Sequence, residues 1–126
     1  MGRIDKPWGY EKQVLMTQVE IGDRCGMLGM RKLFINIDEM TSYAVHSDQS
    51  DIIYLEEGQA IIRRDGDIED LEEGESTVVR SGQKHQIQNN GTDVAEVLEI
   101  SFPYKPEDIE RIEDPYTRER KTESQE

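Results

Sequence analysis

The chain has only two histidines in 126 residues, His46 and His85. Carboxylates crowd the first: Asp48 and Asp51 follow it within five positions. Neutral imidazole and carboxylate are ligands for divalent transition metals such as Zn²⁺, Mn²⁺, Fe²⁺, Ni²⁺ or Co²⁺. Two imidazoles and one carboxylate make a facial triad with open positions for a substrate. His46, Asp51 and His85 are therefore the candidate ligands, with Asp48 able to fill a gap. Lys84, beside His85, and Tyr54, three residues after Asp51, are candidate pocket groups. Arg31 and Lys32 are adjacent cations that could face a phosphate or carboxylate. Alternation along a strand turns only one of them inward. Cys25 has no histidine near it in sequence, so it reads as an ordinary thiol rather than a nucleophile.

The elements that must position these groups read as short strands. Tyr10 to Thr17 and Met27 to Ile37 are extended runs. Ile52 to Leu55, Ala60 to Arg63 and Ile68 to Leu71 follow, divided by Glu56-Glu57-Gly58 and Asp65-Gly66-Asp67. Thr77 to Val79 and His85 to Gln88 flank Ser81-Gly82. Val94 to Phe102 is the last strand, with Ala95, Val97, Glu99 and Ser101 on one face. Strands with turns every eight to twelve residues predict an all-β sandwich or barrel, and no βαβ rhythm points to a parallel sheet. Pro106 to Ile112 predicts a short C-terminal helix, with proline in its first turn and acids at its start. From Thr117 the chain is charged and without apolar residues, so residues 1–116 are expected to form the domain and 117–126 a disordered tail.

The segment from Gly74 to Asn89 resembles the second motif of the cupin superfamily: Gly82, His85 and Asn89 match, and Arg80 replaces the usual proline. His46, Asp51 and Gly58 resemble the first motif in their spacing. Lys6-Pro7-Trp8-Gly9 is similar to the opening of the type II mannose-6-phosphate isomerase domain, also found fused to mannose-1-phosphate guanylyltransferases. Glu107 to Arg118 resembles its closing signature. The resemblance implies a cupin jelly roll. It also implies a divalent metal and aldose–ketose isomerisation of a mannose-6-phosphate-type substrate, with Lys84 and Tyr54 as candidate catalytic groups and Arg31, Lys32 and Gln49 as candidate substrate contacts. The chain departs from the family at three places. A ligand glutamine is Ala44, the glutamate is shortened to Asp51, and the family arginine is Gln49. The competing readings are a non-catalytic cupin that binds a sugar or sugar nucleotide, and a cupin with epimerase, lyase or iron-oxygenase chemistry.

The charge balance narrows the partners. With 15 basic and 28 acidic residues the net charge is −13, which repels nucleic acid and anionic membrane. A single cysteine precludes an internal disulfide, and no run approaches the length of a membrane span. Met1 to Pro7 lacks the apolar core of a signal peptide. The expectation is a soluble cytoplasmic protein that binds a sugar phosphate or sugar nucleotide. Sheet edges have to be covered, which makes a homodimer the default.

Overall fold

The computed structural model describes residues 2–116. Eleven strands follow one another: β1 (Arg3–Lys6), β2 (Gly9–Ile21), β3 (Arg24–Ile35), β4 (Tyr43–Val45), β5 (Ser50–Glu57), β6 (Ala60–Arg64), β7 (Asp67–Leu71), β8 (Ser76–Val79), β9 (His85–Gln88), β10 (Ala95–Phe102) and β11 (Glu110–Glu113). They form two antiparallel sheets, ordered β1-β2-β3-β10-β5-β8 and β11-β4-β9-β6-β7. This is an all-β sandwich, as the strand pattern predicts, and the double-sheet jelly roll that the cupin resemblance implies. Among the described residues there is no helix, and so none long and apolar enough to cross a membrane.

Period-2 alternation decides which side chains meet. On β10, Ala95, Val97, Glu99 and Ser101 are buried while their neighbours are half-exposed. On β5, Asp51, Ile53 and Leu55 point inward in the same way. The two inner faces close over Leu33, Ile35, Ile53, Leu55, Ile62, Ile87 and Val97, with Trp8 sealing the same cluster. Each such side chain contributes about 1.5–3 kcal/mol when fully buried. The apolar core fills one end of the sandwich. Towards the other end the inward positions become polar, beginning with Glu99 and Ser101.

Two residues of the histidine-bearing motifs have structural work. Asn89 is fully buried, and its amide donates to the carbonyls of Ile35 (2.9 Å) and Asp93 (2.8 Å). Its Oδ1 accepts from Gly91 N at 2.8 Å, so one side chain closes the turn after β9. Gly58 sits at φ +98°, and a Cβ there would lie 3.1 Å from both Ala95 Cα and Val94 O. Only glycine fits that turn without strain.

The expected C-terminal helix is absent. Residues 110–113 form β11, which pairs with β4 through Glu110↔Val45 and Arg111↔Ala44. The exposed main chain of β4 offers that segment a ladder, and tertiary pairing outweighs the local helical signals. The acid expected at the helix start, Asp108, caps another loop instead. The strand expected at Tyr10 to Thr17 extends over Gly9–Ile21 as β2, and no apolar pattern marks β1 or β4 as strands. The tail expected at 117–126 lies outside the described residues.

Candidate metal centre

His46 follows β4, Asp51 lies at the start of β5, and His85 opens β9. The sequence distance between them is closed by the sandwich. Ala44 stands opposite His85 in register, and Gly82 N donates to His46 O at 2.8 Å. The turn before His85 is thereby tied to the backbone of His46.

The side chains converge on one point. His46 Nε2 lies 3.3 Å from Asp51 Oδ2, and His85 Nε2 lies 3.6 Å from the same oxygen. One donor atom from each residue falls within 4.8 Å of the others. The imidazole rings are 5.2 Å apart and tilted by 51°. Asp51 is 1% exposed, and its Oδ2 is buried without a hydrogen bond. A buried carboxylate oxygen facing two ring nitrogens in this way has the arrangement of a ligand set.

The surrounding groups prepare those atoms for coordination. His46 Nδ1 is 2.6 Å from the backbone oxygen of Asp108. A carbonyl can only accept, so Nδ1 carries a proton and Nε2 is the ring nitrogen turned into the site to serve as a ligand. Asp51 Oδ1 accepts from Ser101 Oγ at 2.6 Å and from Gln49 Nε2 at 2.9 Å, leaving Oδ2 free to coordinate. Burial lowers the pKa of His85, against the attraction of Asp51, and keeps that ring neutral. Burial also lowers His46, but its contacts with Asp51 and the Asp108 carbonyl outweigh this and raise it. Burial raises Asp51, and the nearness of the His46 ring together with the hydrogen bonds from Ser101 and Gln49 outweighs that and holds it low. The residues present therefore fit a divalent metal, with His46 Nε2, His85 Nε2 and Asp51 Oδ2 as its protein ligands.

The triad opens on a cavity of about 110 Å³. Trp8, Leu33 and Ile87 give it apolar walls, and Glu11, Arg31 and Glu99 give it charge. Arg31 donates to Glu99 at 2.6 Å and lies 3.5 Å from Glu11. Lys6 and Arg111 also line it.

Of the residues singled out in the sequence, His46, His85 and Arg31 line this cavity, and Asp51 is buried against the two histidines. Gln49 is buried behind it: its amide nitrogen serves Asp51, and its Oε1 accepts from Lys105 N at 3.0 Å. Asp48 turns away, paired with Lys105 (2.7 Å) and Arg24 (3.2 Å). Lys32 faces outward to Glu96 (2.9 Å) and Glu56 (3.3 Å), because alternation gives the inward place to Arg31. Tyr54 falls between inward Ile53 and Leu55, so it faces out, and Lys84 is exposed. Neither lines the cavity.

Sequence reasoning passed over Glu11, Glu99, Ser101 and Asp108. Glu99 had a signal, being the one carboxylate on the small and apolar face of the last strand. Asp108 had none, since its role depends on a contact with residues about sixty positions away.

The comparisons with known proteins agree with this architecture. The family model for the cupin domain matches residues 35–101, more than half of the chain. No curated protein matches the sequence. Among solved structures, KdgF from Halomonas sp. superposes with a TM-score of 0.69 at 17% identity, over 84% of this chain and 89% of that one. A sugar phosphate isomerase of the cupin superfamily from Silicibacter pomeroyi superposes with a TM-score of 0.58 at 17% identity, over 63% and 52%. An oxalate oxidase in complex with glycolate gives 0.61 at 16% identity, over 68% and 46%. The chain spans about half the length of the last two. At these identities the likeness is one of fold.

Proposed function

This chain belongs to the cupin family, and within it we propose a metal-dependent, isomerase-like enzyme acting on a sugar phosphate of the mannose-6-phosphate type. The observation that carries the reading is the convergence of His46 Nε2, His85 Nε2 and Asp51 Oδ2 on one point, with the two histidines lining a small cavity and Asp51 buried beside them. A divalent metal held there supplies Lewis-acid polarisation of a sugar carbonyl and its neighbouring hydroxyl. The chain's own residues do the rest. The Asp108 carbonyl holds the His46 ring in its donor tautomer. Ser101 and Gln49 hold Asp51 at the angle that aims Oδ2 inward. Trp8, Leu33 and Ile87 keep water from the reacting carbons, and Lys6 and Arg111 bring positive charge for a phosphate. Lys84 and Tyr54 take no part, because neither reaches the cavity.

The test is turnover of mannose 6-phosphate to fructose 6-phosphate by protein loaded with Zn²⁺, Mn²⁺ or Co²⁺. Conversion that disappears with EDTA and in His85→Ala supports the reading. A metal-replete protein without turnover overturns it.

The donor set also favours a second reading. Two histidines and one carboxylate are the ligands of ferrous oxygenases. Oxygen uptake dependent on Fe²⁺, with no sugar-phosphate turnover, would select it.

A further inference from the structure

Glu99 is a buried ionisable group at the cavity that the reading above leaves without a task. It stands on the inward face of β10, two residues before Ser101, whose hydroxyl holds Asp51. Across the sheet it is in register with Arg31 on β3 and Ile53 on β5, while Ser101 is in register with Asp51. Successive inward residues of a strand are about 7 Å apart. Glu99 therefore occupies the next layer below the metal ligands, in the same cavity wall as His46 and His85. Arg31 fixes its orientation at 2.6 Å, and Arg31 is in turn held by Glu11 at 3.5 Å. A buried carboxylate held by a guanidinium and lining a cavity beside an electrophilic site has the geometry of a proton carrier.

We propose that Glu99 is the acid–base residue that moves a proton between adjacent substrate carbons, with Arg31 and Glu11 as its positioning pair. The inference rests on the isomerase reading and names a residue for its chemistry. Glu99 takes the proton from C2 of the aldose, and the C–H electron pair becomes the C1–C2 double bond of an enediol as the carbonyl π pair moves to O1. The proton of the C2 hydroxyl passes to O1. Glu99 returns its proton to C1, leaving a ketone at C2 and a hydroxymethyl group at C1, so nothing is oxidised or reduced overall. Burial pushes the Glu99 carboxyl up to about 7, with Arg31 and His46 opposing and Asp51 and Glu11 adding. That lies in the range where a carboxylate both takes and returns protons at neutral pH.

The test separates proton transfer from metal binding. Wild type, Glu99→Gln and Glu99→Asp are loaded with Co²⁺, and deuterium wash-in from D₂O to C1 of fructose 6-phosphate is followed by NMR. Glu99→Gln should exchange at least about 100-fold more slowly than wild type, while its Co²⁺ affinity and visible spectrum stay those of wild type. Should Glu99→Gln fail to fold, Glu99→Asp, with the carboxylate withdrawn by one methylene, should show a slowed rate at unchanged KM and unchanged Co²⁺ spectrum. Exchange at the wild-type rate in the variant that folds, or loss of Co²⁺ binding together with exchange, would overturn the role of Glu99 while leaving the isomerase reading standing. A Co²⁺-loaded wild type without any exchange would instead refute the isomerase reading, and the role of Glu99 with it.

Discussion

His46 Nδ1 donates to the backbone oxygen of Asp108 at 2.6 Å, across 62 positions of sequence. The carboxylate of Asp108 reaches back to the same loop. It accepts from Ser47 N (2.8 Å), Ser47 Oγ (2.7 Å), Asp48 N (2.8 Å) and Gln49 N (3.0 Å). One residue thus sets both the tautomer of a ligand and the path of the backbone that carries it.

Removing that carboxylate should loosen the site without touching a ligand. Asp108→Ala is expected to weaken Co²⁺ binding about 10- to 100-fold, as loss of a supporting contact does at metal sites. It should also lower stability by about 1 kcal/mol, since the exposed Ser47 donors turn to water and only Asp48 N and Gln49 N lose a part-buried acceptor. Burial opposes the charge on Asp108, but the hydrogen bonds from Ser47, Asp48 and Gln49 outweigh it and hold its pKa well below the usual carboxylate range. An acid depressed in the folded state stabilises above its unfolded pKa of about 3.9, and the contribution is lost as pH falls through the folded value. In urea denaturation, the gap between wild type and Asp108→Ala should be constant above about pH 5 and shrink below about pH 4. A gap that stays constant through acid contradicts this role.

Glu99 should leave the opposite signature. Its carboxyl is raised from 4.5 to about 7 by burial. Below pH 4.5 the folded and unfolded chains both keep the proton. Between 4.5 and about 7 unfolding releases it, so stability falls with rising pH, by roughly 3 kcal/mol over the interval. Denaturation of the metal-free protein at pH 5 and pH 8 checks it. Wild type should lose stability across that range relative to Glu99→Gln, and parallel profiles for the two proteins would count against it.

Much of this arrangement could be read from the sequence, for identifiable reasons. The alternation in Val94 to Phe102 assigned the buried face of β10 correctly, because one face of that strand packs on the core. The candidate ligands His46, Asp51 and His85, which the structure brings together, stand out because histidines are so few and their glycine and asparagine partners sit in tight turns. The helix expected over Pro106 to Ile112 failed because local propensity was set against an open sheet edge, and the edge won. Asp48 is close to His46 in sequence, but Lys105 and Arg24, far off in sequence, take its charge. Lys84, beside His85, and Tyr54, between Ile53 and Leu55, are each next to an inward residue, and strand alternation turns such a neighbour outward.

The shortened ligand set can be extended. Ala44 is 4% exposed, lines the cavity and stands opposite His85 in register. Ala44→His would place a third imidazole beside the other two. Isothermal titration with Zn²⁺ should show affinity at least about 10-fold tighter than wild type, as a further ligand of the right type provides. Unchanged or weaker binding would mean that the cavity does not turn position 44 toward the metal.

The central claim is that His46, Asp51 and His85 hold one divalent metal, and Co²⁺ titration followed by visible absorption tests it most directly. Wild type should saturate at one equivalent. Asp51→Asn keeps an oxygen for Ser101 and Gln49 but loses the anionic ligand, so it should fold and bind at least about 100-fold more weakly, with His46→Ala and His85→Ala affected as strongly. A wild type that binds no Co²⁺, or binding that survives Asp51→Asn and His85→Ala unchanged, would contradict the account.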